Sequence, residues 1–141
     1  WRAQAWGWRG EILDLIEAAT GHRVHPMFCQ VGGVRADVSD EAQVEAMVAF
    51  ATETYDALHV LYNNAGISPA DDDSILVTGI EAWDRVQRVN LTSVYLCCKE
   101  VIPYMQRQGK GSIVNTASFV ATMAAATSQI SYTASKGGVL R

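Results

Sequence analysis

From Val34 onward, apolar and polar positions follow two alternating periods. VRADV reads as a short apolar strand ending at Asp37. Asp40 then caps a helix, and Gln43 three residues later closes a capping box. Val44, Met47, Val48 and Ala51 follow the i, i+3, i+4, i+7 spacing of one buried helical face. LHVLYNNAG is the next strand, breaking into a turn from Asn63 to Gly66, and ADDDSILVTG is a polar connection. Thr78 with Glu81 opens a long helix by the same capping logic, running to residue 107 with a bend expected at Pro103. RQGKG is a turn, SIVNTAS a third strand, and ISYTASKGGVLR begins another helix. This alternation predicts an α/β fold, a parallel sheet wrapped by helices. Such sheets bind ligands at the carboxyl edge of their strands. The three strand ends, Asp37, Asn63 to Gly66 and Ser118, are all polar and mark a candidate site along that edge.

The segment before Val34 reads differently. Trp1, Trp6 and Trp8 show neither helical nor strand period. In EILDLIEAATG, Ile12, Leu15, Ile16 and Ala19 form one helical face, with Gly21 as its stop. His22 and His25 stand three apart, but no nearby carboxylate or cysteine completes a ligand set, so a loop is expected and no metal site. The chain is accordingly divided into an atypical segment, 1–33, and a domain, 34–141.

Composition narrows the class. A chain of 141 residues, 49% hydrophobic and 18% charged, has the length and mixture of one folded domain. Its net charge of -4 argues against nucleic-acid or anionic-membrane binding. Cys29 is isolated and Cys97 and Cys98 are adjacent, a pattern with no metal spacing that suits a reducing, cytoplasmic interior. The first ten residues hold no apolar stretch of a secretory signal. Gly111 to Ser135 carries no charge, yet Asn115, Ser118 and Gln129 interrupt it, so it is expected to form buried interior and site wall, not a membrane span.

The chemistry concentrates in Tyr132-Thr-Ala-Ser-Lys136. On a helix, i and i+4 share a face, so phenol and ammonium approach each other. A free tyrosine titrates near 10, and a proton shuttle at neutral pH requires a downward shift of roughly two to three units, about 3–4 kcal/mol. An ammonium about 4 Å away supplies ~1 kcal/mol in water but ~4 kcal/mol at an effective dielectric near 20, so the pair needs a cleft partly closed to solvent. Tyr95 and Lys99 repeat the spacing inside the long helix and are read as packing and a solvated side chain. Gly137 and Gly138 cost about 1 kcal/mol each in a helix, which predicts a close approach by backbone or ligand.

NNAG at 63–66, Asn90 in RVNLTS, Ser118 at the end of SIVNTAS and YTASK at 132–136 occur in the order seen in the classical short-chain dehydrogenase/reductases, which the chain resembles from Val34 to Arg141. The general look is similar to the branch of 3-oxoacyl-carrier-protein reductases and sugar-alcohol or steroid dehydrogenases. The resemblance implies a partial Rossmann-like doubly wound parallel sheet with flanking helices. It also implies oxidoreduction of a small-molecule carbonyl or alcohol with NAD or NADP, and a dimer or tetramer. Tyr132 would be the catalytic acid/base. Lys136 would lower its pKa and hydrogen-bond the nicotinamide ribose. Ser118 would hold the substrate oxygen, and Asn90 would order a water linking Lys136 to solvent. Asp37 and Val38 would meet the adenine, and Asn64, Ala65 and Gly66 would lie along the cofactor. Structural readings stay open for three of these: Asn90 satisfying a helix break, Asp37 capping a loop, Ser118 bonding to backbone.

The sequence departs from the family at both ends. The Gly-rich turn TGxxxGxG is absent: Gly7, Gly10, Gly21, Gly32 and Gly33 do not have its spacing. The chain stops five residues after Lys136, and the 14-residue step from Ser118 to Tyr132 is one residue longer than the family pattern implies, predicting a bulged loop. A truncated member is therefore expected, inactive or weakly active by itself. The alternative is a non-catalytic relic that pairs with another subunit through helix 78–107. An epimerase or dehydratase of the extended branch shares the Tyr/Lys pair, but NNAG counts against it.

Overall fold

The computed structural model describes residues 36–123 and 128–141. The chain divides into two compact units, 1–36 and 37–141, and the elements that follow all belong to the second. The expected helix at 11–21, its stop at Gly21, the His22 to Gly33 loop and the start of the first strand lie outside the described residues.

Ala36 to Val38 do not form the end of a strand; Asp37 leads directly into a turn at Val38 and Ser39. The reason is local hydrogen bonding. Asp37 Oδ1 accepts from both the Ser39 amide (2.9 Å) and the Ser39 hydroxyl (2.7 Å), and such a turn competes with extended backbone.

Helix α1, Glu41–Tyr55, is capped as its sequence predicts: Asp40 Oδ1 accepts from the Gln43 amide at 3.1 Å. The second half of the box is altered. Gln43 Oε1 accepts from Asp37 N–H (2.9 Å) and not from Asp40, whose N–H goes to the Asp37 carbonyl. The helix ends at Asp56 in the left-handed region (φ 60°), its N–H bonded to the Thr52 carbonyl.

Two parallel strands follow among the described residues, β1 (Val60–Asn63) and β2 (Ser112–Asn115), in register Val60↔Ser112 through Asn63↔Asn115. Between them runs a long helical rod in three parts: α2 (Ile80–Gln87), a π-helical turn (Arg88–Thr92) and α3 (Ser93–Arg107). Its start differs from expectation. Gly79 occupies the cap position without a side-chain bond, and Thr78 Oγ1 accepts from the Asp73 amide at 2.8 Å, closing the preceding loop. The rod is helical on both sides of Pro103, and its irregular turn lies at Arg88–Thr92. There Ser93 donates its hydroxyl to the Val89 carbonyl at 2.6 Å, back-bonding within the widened turn. After β2, a 3-10 turn (Phe119–Ala121) leads toward α4, Ile130–Leu140. The expected bulge between Ser118 and Tyr132 falls partly on residues 124–127, outside the described residues.

The core lies where α1 and α3 cover one face of the strands. Val44 and Val48 pack with Leu96, Cys97, Val101 and Met105, and Leu61 and Ile113 join from the sheet. Fully burying a side chain of this kind contributes about 1.5–3 kcal/mol. The periodic face read from α1 is the buried one. A second contact, α2 and the π turn against α4, uses smaller residues: Ala82, Val86, Ser131 and Ser135 are all buried. Polar groups cluster in that second contact.

Candidate active site

The carboxyl ends of β1 and β2 are stitched together by their own side chains. Asn63 Nδ2 donates to Asn115 Oδ1 at 2.8 Å, and Thr116 Oγ1 donates to Asn64 Oδ1 at 3.1 Å. Asn63 and Asn115 are register partners, so both amides leave the ladder side by side. The NNAG turn therefore starts from a fixed point.

Asn90 fixes its other end. It is fully buried in the π turn. Its Oδ1 accepts from the Ile67 amide at 2.7 Å, and its Nδ2 donates to the Ile67 carbonyl (2.9 Å) and to Ser135 Oγ (3.1 Å). The helix-break reading and the site reading of Asn90 meet here: the irregular turn is where the amide reaches both the loop and α4.

Lys136 completes the group. It is 4% exposed, and its Nζ donates to the Thr116 carbonyl at 2.7 Å. Burial holds its pKa below the ordinary lysine value. Nζ lies 5.9 Å from the centre of the Tyr132 ring, one helical turn earlier on α4. A Cβ placed on Gly66 would sit 3.4 Å from Nζ and 3.5 Å from Asn90 Oδ1, which puts the end of the NNAG turn against both.

Thus the structure gathers Gly66, Asn90 and Lys136 into one contact group, with Tyr132 beside it and Asn64 joined to it through Thr116. Ser118 is half-buried two residues beyond Thr116, at the start of the 3-10 turn that packs on α4. Ala65 is exposed between Asn64 and Gly66. Asp37 and Val38 precede α1, and no hydrogen bond joins them to this group among the described residues. Hydrogen bonds from Ser39 hold the Asp37 carboxyl below its ordinary pKa, the loop-capping role its sequence also allows.

Three participants escape a reading of the sequence alone. Thr116 serves through its carbonyl, which carries no sequence signal. Ser135 stands in YTASK only as a small neighbour of the tyrosine. Asp72, in the run Asp71 to Asp73, looks like part of a polar connection, yet it is buried and its carboxylate accepts from the amides of Ser131 and Tyr132. Tyr95 departs from expectation in the opposite sense: it is 63% exposed, and Lys99 pairs with Glu41 across α1 and α3.

Chemically, this is a polar cluster beyond the strand ends holding a buried ammonium with N–H groups beyond the one given to Thr116, a phenol, and a hydroxyl on an adjoining turn. That donor set suits a vicinal diol and a carbonyl oxygen. The nicotinamide-ribose half of a dinucleotide fits it; no described residue supplies the glycine-rich cradle for the pyrophosphate.

Comparison with known proteins gives a consistent result. The family model described as short chain dehydrogenase matches residues 17–141, beginning ahead of Val34. The chain is 41% identical over 145 residues to 2-(R)-hydroxypropyl-CoM dehydrogenase of Xanthobacter autotrophicus, covering 99% of this chain and 58% of that protein. It is 42% identical over 105 residues to levodione reductase of Leifsonia aquatica, covering 74% of this chain and 39% of the relative. The solved structure of a levodione reductase superposes with a TM-score of 0.73 at 38% identity, over 77% of this chain and 41% of that one. The chain spans roughly half the length of these relatives. No helix among the described residues is long and apolar enough to cross a membrane.

Proposed function

The chain belongs to the short-chain dehydrogenase family, and from that premise we propose that it carries the acid–base centre of an NAD(P)-dependent oxidoreductase interconverting a carbonyl and a secondary alcohol. The observation that carries this reading is the placement of Lys136: a buried ammonium one helical turn from Tyr132, tied to the end of β2 and touching the end of the NNAG turn. Similarity to dehydrogenases and reductases of small molecules supports the same class.

In this reading, the nicotinamide when bound supplies or accepts the hydride. The chain's residues handle the oxygen. Tyr132 donates its phenolic proton to the carbonyl oxygen in reduction and takes the proton back in oxidation. Ser118 donates a hydrogen bond to that same oxygen, where negative charge develops. Lys136 places its charge beside the phenol and offers its remaining N–H groups to the ribose hydroxyls. Asn90 holds the NNAG end against Lys136, and a water on its free lone pair continues the path to solvent. Asn64, Ala65 and Gly66 line the cofactor, with Asp37 and Val38 at its adenine end. The whole protein acts as a dimer or tetramer in the cytoplasm, and this chain by itself has little or no activity.

The test is carbonyl-dependent oxidation of NADH and NADPH by the whole protein and by its Tyr132→Phe variant. Loss of general acid catalysis lowers turnover about 10²–10⁴-fold; undiminished turnover in the variant removes Tyr132 from the chemistry. One feature favours a second reading, a non-catalytic partner subunit. Tyr95 and Ile102, seven residues apart on one side of α3, are both exposed (63% and 39%). Nicotinamide binding titrated by tryptophan fluorescence, together with molecular mass in solution, separates the two: the second reading needs association without cofactor binding.

A further inference from the structure

Helix α4 starts without a cap of its own. Gln129 occupies the N-cap position and makes no side-chain bond to the first turn. The first N–H groups of a helix need partners from elsewhere, and here they come from residues almost sixty positions earlier. Asp72 Oδ1 accepts from Ser131 N–H at 2.9 Å, and Oδ2 accepts from Tyr132 N–H at 2.8 Å. The adjoining Asp73 carbonyl accepts from Ile130 N–H at 3.1 Å. On the other side of the turn, Gln87 Nε2 donates to the Ser131 carbonyl at 3.0 Å.

Asp72 is 3% exposed, a burial that a carboxylate tolerates only when its oxygens are well bonded. Both of its oxygens are engaged, and the positive end of the helix supplies favourable charge. The two bonds are bidentate, so they fix both the height of the first turn and its rotation about the helix axis. Ser131, at the centre of the clamp, is fully buried, with a hydroxyl that finds no partner. Its place is set by backbone bonds and packing alone.

We infer that Asp72 is a positioning residue for Tyr132: its carboxylate anchors the backbone from which the phenol projects. This rests on the proposed role of Tyr132 as proton carrier. The Asp72 side chain does not touch the reacting atoms; it acts through the Tyr132 amide. A chelate of this kind keeps the phenol in place without lengthening α4, and misplacement of a catalytic group by about 1 Å costs on the order of 10²-fold in rate.

The experiment uses Asp72→Ala and Asp72→Asn in the whole protein, alone and combined with Tyr132→Phe. Amide hydrogen exchange at Ser131 and Tyr132 reads the clamp directly. Protection falls about tenfold or more in Asp72→Ala and less in Asp72→Asn, which keeps one acceptor oxygen. In steady-state kinetics kcat falls ten- to a hundredfold, roughly, while KM for the carbonyl substrate is nearly unchanged. On the Tyr132→Phe background, Asp72→Ala removes almost nothing further, because there is no phenol left to position. Unchanged protection at the two amides overturns the inference, and so do losses that multiply in the double variant. If Asp72→Ala fails to fold, Asp72→Asn decides by the same measurements. If turnover proves independent of Tyr132, the functional reading fails, and the exchange data still show whether Asp72 holds the turn.

Discussion

Asn90 and Ile67 are joined at two points, the amide oxygen of Asn90 accepting from the Ile67 N–H (2.7 Å) and its NH₂ donating to the Ile67 carbonyl (2.9 Å). A side-chain amide thus completes the backbone pairing of a loop residue 23 positions away. Among the described residues that loop has no strand neighbour at Ile67, so the pair substitutes for a ladder rung, and its partner comes from inside a helix. The geometry accounts for the placement of Gly66 against Lys136, because Ile67 follows Gly66 directly.

Replacing Asn90 with Leu, close in volume but unable to bond, leaves the Ile67 N–H and carbonyl and the Ser135 hydroxyl short of partners. Each buried orphan costs about 1–3 kcal/mol, with partial relief as the loop relaxes toward solvent. The expected loss of stability is about 2–4 kcal/mol in urea denaturation, without a change in m-value. Asn90→Asp keeps the acceptor for Ile67 N–H but turns a carboxylate oxygen toward the Ile67 carbonyl at a fully buried position, so it should destabilise at least as much as Leu.

Two glycines should respond to alanine with opposite signs. At Gly111 a Cβ would fall 2.4 Å from Cγ and Sδ of Met105 and 2.8 Å from its Cβ, and Met105 belongs to the core. Gly111→Ala is expected to cost about 1–3 kcal/mol. Gly137 lies within α4, and an added methyl there would meet nothing within 4 Å, so Gly137→Ala gains about 1 kcal/mol in helix propensity. Thermal melts of the two variants check the pair; a destabilised Gly137→Ala would mean that the space beside it is filled.

Lys136 makes stability depend on alkaline pH in a defined direction. Burial depresses its pKa below 10.5 in the folded chain, so the unfolded chain holds that proton more tightly. Stability then rises with pH between the depressed value and about 10.5, and the penalty is full below that interval. A Lys136→Met variant lacks this contribution. The stability of wild type relative to Lys136→Met should therefore increase as pH is raised toward about 10.5; a flat or falling difference would show that the ammonium is not desolvated.

The α1 face, the two strands, α4 and the polar end of β1 at Asn63 are legible in the sequence, because most of these rest on a local period or a cap, whereas β2 stops at Asn115, short of the end expected at Ser118. Gly138 also follows expectation: a Cβ there would come 2.9 Å from Leu91 Cδ2, a close helix contact, whereas Gly137 faces open space. What a local reading misses depends on distant partners. Thr78 looks like a cap, but its hydroxyl serves the Asp73 amide; Asp37 looks like a strand end, but Ser39 bends the chain there. Asp72 sits in an ordinary acidic run, and nothing in that run shows that one of its three carboxylates reaches α4. The resemblance in motif order points to Asn90 and Lys136, and the comparisons confirm the family.

The widened turn at Arg88–Thr92 has a further effect on how this chain tolerates change. A regular helix advances about 100° per residue, and a π-type turn carries one residue more than regular winding uses. The rod's two halves are thereby out of phase, so that Ala82 and Val86 meet α4 while Leu96, Cys97 and Val101 meet α1. Deleting any single residue from 88–92 would restore even winding and swing one half away from its neighbour. Exposed side chains along this rod can change without moving either half, but its length cannot.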